Sequence, residues 1–374
     1  MKLSLKIILL IICCYTIISC SDDDDSEQIE IPYSASSNTV FEAPGPDRFY
    51  IVNEEMLEQA EYVSNFNFTG IPAPFTEAVQ LGNDSFLILI SQEDKLLFYA
   101  EGETVQEIAE YGEGPNDIQH GIRLIKTPEQ ILLVQANRVS RVSYEDPLLG
   151  PNVLFNSDTF INSAGKLRDG RFVVDSFDGS ADPSLKVLGT SFEILESHGE
   201  FFNHPDPSVL RNFSNFSFTQ TANGNMLLRF GAFEFGGIYD DELNLIQKIH
   251  IKDMFTPDAG NLTEENISDI SVPQSRMFAY QGAGSDELWI AVNHNVLREG
   301  ESGMYSDQYE HFFDYYTLSL VNGLKYAGSS QYSIFPADDT MFISGEEHLY
   351  YLPYDLVIDA DERESFQIPD SFNL

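Results

Sequence analysis

The chain has 374 residues, 43% hydrophobic and 13% aromatic, with 60 acidic against 20 basic side chains and a formal net charge of −40. Such a surface repels phosphate backbones and anionic lipid headgroups, and no cluster of Lys and Arg interrupts it, so nucleic acid is excluded as a partner. All three cysteines (Cys13, Cys14, Cys20) fall in the first 20 residues, so the body of the chain must be held by apolar burial without a disulfide.

The chain opens on Lys2 and Lys6, followed by an apolar run over residues 7–18. That run is about 12 residues long, against the roughly 20 needed to cross a bilayer, and reads as a secretory signal. Ile17-Ile18-Ser19-Cys20 resembles the cleavage box of a bacterial lipoprotein, in which the new N-terminal cysteine carries the lipid. Asp22, Asp23, Asp24 and Asp25 follow at once. They look like the tag with which some Gram-negative bacteria send lipoproteins to the outer face of the outer membrane. The resemblance implies a signal peptide over 1–19, a lipidated acidic tether over 20–38 and a folded domain over 39–374. Its implied address is the outer membrane, surface-exposed, with the membrane met through the N-terminal lipid.

Val40 to Glu42 and Phe49 to Val52 each read as a strand, one of them available to complete a sheet begun at the other end of the chain. Residues 54–62 fit a helical turn or two. From residue 75 onward one pattern recurs six times: a turn pair, then a dense apolar strand. The pairs are Asn83-Asp84, Pro128-Glu129, Asp169-Gly170, Asn223-Gly224, Ser285-Asp286 and Asp338-Asp339. The strands begin at 85, 130, 171, 225, 287 and 340, and intervals of about 40–60 residues signal a repeat architecture. Asp-Gly and Asn-Gly reach positive φ at little steric cost and favour tight hairpins. Apolar runs without alternation suggest strands covered on both faces. In the first unit, residues 78–81, 85–90, 95–100 and 104–108 supply four strands. The fourth unit repeats that order over 216–221, 226–230, 233–239 and 243–251. Four antiparallel strands in each of six units describe an all-β, six-bladed β-propeller; a pair of β-sandwiches is the competing arrangement.

Between the first and second units lies Tyr111-Gly112-Glu113-Gly114-Pro115-Asn116-Asp117-Ile118. This resembles the G-x-G-P-G-E-F motif of the six-bladed, TolB-like propeller lipoproteins of surface-exporting Gram-negative bacteria. Asn116, Asp117 and Ile118 depart from the pattern. The resemblance implies a fold and an address without a reaction. Gly112, Gly114 and Pro115 read as backbone devices for a sharp turn between blades.

In such a fold the tight turns share one end, and the long connections (177–183, 199–215, 252–274 and 294–311) gather at the other, where binding usually resides. The last of these holds His294, Arg298, Tyr305, Tyr309 and His311, aromatic and polar groups suited to gripping a sugar or peptide. Two acidic sets, Asp175, Asp178 and Asp182, then Asp359, Asp361 and Glu362, carry oxygen ligands but lack the spacing of a calcium loop. No G-x-S-x-G elbow, phosphate loop or repeated S-x-D-x-G-x-T-W box occurs, and no metal or cofactor is implied. The chain therefore reads as a binding or assembly module for a glycan, peptide or envelope-protein partner. The alternative is a polysaccharide-directed hydrolase or lyase with its site in the propeller channel. Cys20→Ser is expected to release the protein from the membrane fraction; full retention there would refute the anchor.

Overall fold

A strand that is apolar on both faces needs a sheet on each side of it, and packing sheets radially meets that need for every strand at once. The computed structural model describes residues 38–42, 47–65, 76–82, 85–91, 93–100, 105–114, 116–127, 129–167, 169–176, 184–198, 216–230, 235–252, 274–282, 286–297, 309–319, 323–345, 348–358 and 363–369. They form nearly all β structure. Strand β1 (Asn38–Glu42), helix α1 (Glu54–Gln59) and strand β2 (Glu61–Asn65) precede the blades. Blade 1 is β3 (Thr76–Gly82), β4 (Ser85–Ile90), β5 (Lys95–Ala100) and β6 (Gln106–Ala109). Blade 2 is β7 (Gly121–Lys126), β8 (Ile131–Gln135), β9 (Arg138–Val142) and β10 (Asn152–Asn156). Blade 3 is β11 (Ala164–Lys166), β12 (Phe172–Ser176), β13 (Ser184–Leu188) and β14 (Ile194–His198). Blade 4 is β15 (Phe216–Gln220), β16 (Met226–Phe230), β17 (Phe235–Tyr239) and β18 (Leu245–Lys252). Blade 5 is β19 (Gln274–Gln281), β20 (Glu287–Leu297), β21 (Tyr309–Ser319) and β22 (Gly323–Ser330). Blade 6 is β23 (Ser333–Ala337), β24 (Thr340–Ser344), β25 (His348–Pro353) and the N-terminal β2; a short helix, α2 (Tyr354–Ile358), follows.

The second strand of each blade carries the packing. In β8, Ile131 and Leu133 join a core with Leu87 and Leu89 of β4, while Leu132 and Val134 join Phe172 and Val174 of β12. In β20, Leu288, Ile290 and Val292 face Leu227 of β16, and Trp289 and Ala291 face Phe342 and Ile343 of β24. The remaining face of β4, Phe86 and Ile88, meets blade 6 in that same core, so the ring closes on itself. Successive side chains of one strand point to opposite faces, so each middle strand stitches two interfaces. Pleat and ring together account for the absence of alternation in the sequence. The Trp289 indole N–H donates to Ile334 O at 3.0 Å, adding a polar tie between blades 5 and 6. At the tight turns, Gly170 and Gly224 sit at φ 89° and 94°, where an L side chain is strained.

Closure uses a strand other than the two read from the sequence. Val40 to Glu42 lie in β1, which pairs in parallel with β18 and makes blade 4 five-stranded. Phe49 and Tyr50 make only isolated bridges, to Ser365 and Ser329. It is β2 that pairs with β25 and completes blade 6. Helix α1 sets this up: Asn53 caps it by accepting from Met56 N at 2.9 Å, and Glu54 and Glu55 suit its N-terminal dipole. The chain leaves the helix at Ala60 in an extended conformation, and Val63 is buried in the sheet core.

A buried polar latch fastens both ends of the chain to blade 5. Arg48 donates from Nε and Nη2 to the Asp314 carboxylate at 2.8–3.1 Å. Asp314 Oδ2 lies 3.0 Å from His294 Nε2, Ser329 Oγ donates to Oδ1, and all three ionisable side chains are fully buried. The Arg48 guanidinium lies over Phe312, whose ring also meets Phe366. Phe366 N donates to Arg48 O and Tyr50 N to Glu364 O, so the C-terminal segment rides on the N-terminal one. Burial raises the Asp314 carboxyl, but hydrogen bonds and charge from His294 and Arg48 outweigh it and hold the group below the usual range.

Removing one member of a buried pair leaves the other charge uncompensated and costs about 3–5 kcal/mol. Asp314→Asn is therefore expected to lose stability on that scale at neutral pH, measured by chemical denaturation. The contribution of Asp314 is present above the unfolded carboxylate range and is lost as pH falls through its depressed folded value. The wild type and the variant should thus converge in stability under strongly acidic conditions.

Candidate functional site

Strand order sets the two ends of the ring apart. The first-to-second and third-to-fourth strand turns share one end; the second-to-third turns and the links between blades share the other. The connections over 177–183, 199–215, 253–273 and 298–308 all belong to that second end and lie outside the described residues.

The structure redistributes the residues expected to form one binding loop. β20 and β21 are long, so His294, Tyr309 and His311 sit in strands, with His294 opposite Phe312 and Asn295 opposite His311. His294 is a correction to the loop assignment: it is fully buried in the latch. The apolar pattern of β20 continues through Val292 and Val296 on the covered face, which carries the hairpin past the point where the polar residues suggest a loop. His311 packs edge-on against Phe313. Arg298 and Tyr305 lie outside the described residues, as do Cys20 and the aspartates 22–25.

The motif between blades 1 and 2 turns on its own hydrogen bonds. Tyr111 bridges Ile118; Ile118 N donates to Glu110 O at 2.9 Å and Gly112 N to Ile118 O at 3.1 Å. Asp117 folds back so that Oδ2 accepts from Gly114 N at 2.7 Å. A Cβ on Gly112 or Gly114 would collide with that carboxylate. Arg138 binds the carbonyls of Gly114 and Asp117 and is oriented by Gln135. Pro115 lies outside the described residues.

The turn holds Tyr111 at the rim of a cleft of about 440 Å³ at the long-loop end. The link from blade 1 to blade 2 contributes Tyr111, Gln119 and His120, the β8–β9 turn Asn137, and the link from blade 2 to blade 3 Asp158 and Phe160. Tyr111 is 63% exposed and Phe160 43%. The Tyr111 and His120 rings lie 6.1 Å apart. His120 adopts φ 50°, and the adjoining Gly121 N donates to Asp94 Oδ1 at 2.8 Å. Nothing in the local sequence marks His120, Asn137 or Phe160; three separate connections bring them together.

A second set of polar groups occupies the propeller axis. Glu77 Oε2 accepts from Leu124 N at 2.6 Å, and Glu77 Oε1 lies 3.3 Å from Arg123 Nε. Arg123 donates onward to Phe218 O, Thr219 Oγ1 and Ala279 O. One guanidinium on blade 2 thereby ties blades 1, 4 and 5. Burial raises the Glu77 carboxyl despite Arg123, and it raises the Tyr280 hydroxyl well above its ordinary value. Asp175 is buried on β12 rather than displayed for a cation. Its Oδ1 accepts from Asn162 N at 2.7 Å and Ser163 N at 2.6 Å, and burial pushes its carboxyl up to about 7. No group of three His, Cys, Asp or Glu among the described residues could hold a metal; Asp178, Asp182, Asp359, Asp361 and Glu362 lie outside them.

No family model matches the sequence, and no curated protein matches it. Among solved structures, the chain is similar to an exported protein of Bacteroides fragilis, with a TM-score of 0.51 and 11% identity over 84% of this chain and 99% of that one. It is also similar to a member of the DUF4221 family from Bacteroides vulgatus, with a TM-score of 0.49 and 12% identity over 82% and 98% of the two chains. At 11% identity the first of these likenesses shows the shared fold and nothing further.

Asp175 yields a prediction with a definite sign. Its folded pKa lies above the unfolded value, so the ionised group opposes folding, and stability falls as pH rises from about 4 to about 7. Asp175→Asn keeps an acceptor for the two amides and removes the charge. It is expected to be more stable than wild type at pH 8, by up to about 4 kcal/mol, and to flatten that stretch of the pH–stability curve. An unchanged thermal midpoint at pH 8 would contradict this account.

Proposed function

We propose that the chain is an extracytoplasmic, lipid-anchored propeller that binds a neutral glycan in the cleft spanning the links of blades 1, 2 and 3. The observation that carries this reading is the pairing of two exposed rings, Tyr111 and Phe160, with amide and carboxylate groups at Gln119, Asn137 and Asp158. Sugar rings present apolar C–H faces for stacking and hydroxyls for polar side chains. The rim is preorganised, because the backbone bonds of Glu110 and Gly112 with Ile118 hold the chain on either side of Tyr111, and Asp117 and Arg138 hold Gly114 in the same turn; preordered sites lose less entropy on binding.

The N-terminal lipobox with Cys20, and the acidic run after it, support anchoring at the envelope surface. The exported Bacteroides protein of the same fold is consistent with an extracytoplasmic setting. A docking role would call for a contiguous apolar surface. Among the described residues the large exposed apolar side chains outside the cleft fall on several separate segments, at Tyr62, Leu148 and Leu149, Ile194 and Leu195, Ile246 and Leu356. The hydrolase or lyase alternative looks to Glu77 and Asp175, but both commit oxygens to backbone amides, and Glu77 also to Arg123.

Titration calorimetry of the soluble domain against a panel of neutral oligosaccharides tests the reading. Tyr111→Ala and Phe160→Ala are each expected to weaken binding five- to tenfold, about 1 kcal/mol of stacking. Absence of binding across the panel, or wild-type affinity in both variants, would refute it.

A further inference from the structure

Strand direction fixes the side from which the N-terminal chain reaches the propeller. In every blade the first strand runs from the long-loop end to the tight-turn end, and each hairpin reverses the chain, so the fourth strand runs back toward the long-loop end. β18, the fourth strand of blade 4, therefore ends at the long-loop end with Lys252. β1 lies parallel to it on the outer edge of that blade, with Asn38 opposite Lys248 and Glu42 opposite Lys252. The chain upstream of Asn38 thus comes from the tight-turn side of blade 4.

The Tyr111 cleft is at the other pole. It stands at the long-loop end, on the links of blades 1, 2 and 3. The blades follow one another in chain order round the ring, through shared apolar cores and, between blades 3 and 4, where Ser163 Oγ accepts from Phe218 N. Blade 4 therefore faces blade 1 across the ring.

Neither ring closure nor the latch needs β1. The ring is closed by β2. In the latch, Arg48 binds Asp314, and Ile51 N donates to Ser329 O at 3.0 Å. Ser329 is the penultimate residue of β22, near the long-loop end of blade 5. A chain that led straight into Arg48 could arrive from the same side as the cleft. β1 carries it to the opposite side, and among the described strands blade 4 alone has a fifth.

We infer that β1 is a clip that routes the N-terminal tether to the tight-turn end, so that this end faces the membrane and the Tyr111 cleft opens away from it. The inference rests on the Cys20 anchor and is independent of what the cleft binds. Cys20 precedes Asn38 by 18 residues (38 − 20), a reach of at most about 65 Å, so the ring stays close to the surface that holds it. A cleft presented in this way meets ligands arriving from the medium rather than the headgroups of its own membrane. β1 also covers the β18 edge. Edge protection alone would not depend on the direction of β1, whereas display does.

The test uses the full lipidated chain in phosphatidylcholine vesicles that carry a rhodamine-labelled headgroup as acceptor. A donor dye is placed on Glu145→Cys, in the β9–β10 turn at the tight-turn end, or on Asn137→Cys, in the β8–β9 turn at the long-loop end; both positions are exposed and belong to blade 2. The native cysteines all lie in the first 20 residues, so with the signal removed and Cys20 acylated the introduced thiol is the single one to label. Energy transfer is expected to be higher from Glu145→Cys than from Asn137→Cys. In a Thr39→Pro, Val40→Pro background a donor to β18 is lost whichever of the two residues faces it, and the excess is expected to disappear while the protein still floats with the vesicles. Equal transfer from the two sites without the prolines, or greater transfer from Asn137→Cys, would overturn the inference. An excess that survives the proline pair would overturn the role of β1. A chain that fails to float with the vesicles would overturn the anchor instead, and the inference would fall with it.

Discussion

Every part of this molecule depends on the fact that its middle strands are apolar on both sides. A single layer could cover only one of those faces, and six such strands on flat sheets would leave several faces to water. Radial packing places each middle strand between two neighbours, so that Leu132 and Leu133, adjacent in sequence, belong to different interfaces. The outer strands are released from this demand. β14 is exposed along its whole length, and the charges that give the chain its net −40 can spread over such surfaces.

The same arrangement creates an axis where six inner strands converge but their side chains need not be apolar. Here the protein places two arginines of opposite character. Arg123 is fully engaged and works as a spoke between blades. Arg229 rests its guanidinium on Phe278, with its Nε buried and without a hydrogen-bond partner among the described residues. Polar groups that stabilise a fold are normally saturated.

The ends of the chain solve the closure problem in two ways. β2 supplies hydrogen bonds to the exposed edge of β25, which removes an edge that could otherwise pair with another chain. The Arg48–Asp314–His294 latch then pins the segment before it against blade 5, with the C-terminal strand-like segment layered on top. Ring closure and terminal docking are thus coupled through a short stretch of chain. The latch also accounts for the burial of His294 and Asp314 in a hairpin whose covered positions are mostly apolar.

From its sequence alone, this protein determined its six-fold repeat, the position of each middle strand and the glycine turns at 170 and 224. These are local properties: a run of apolar side chains and a residue tolerant of positive φ need no partner to be recognised. The strand that closes the ring, the burial of His294, the grouping of Tyr111 with Phe160 and the tie from Arg123 to blades 1, 4 and 5 were decided only by tertiary structure. Each joins residues on different blades or distant segments. Distance along the chain carries no information about which side chains share an axis, and a histidine reads the same whether it will face solvent or a buried carboxylate. Backbone chemistry within a few residues specified the blades; the ring's geometry specified the sites.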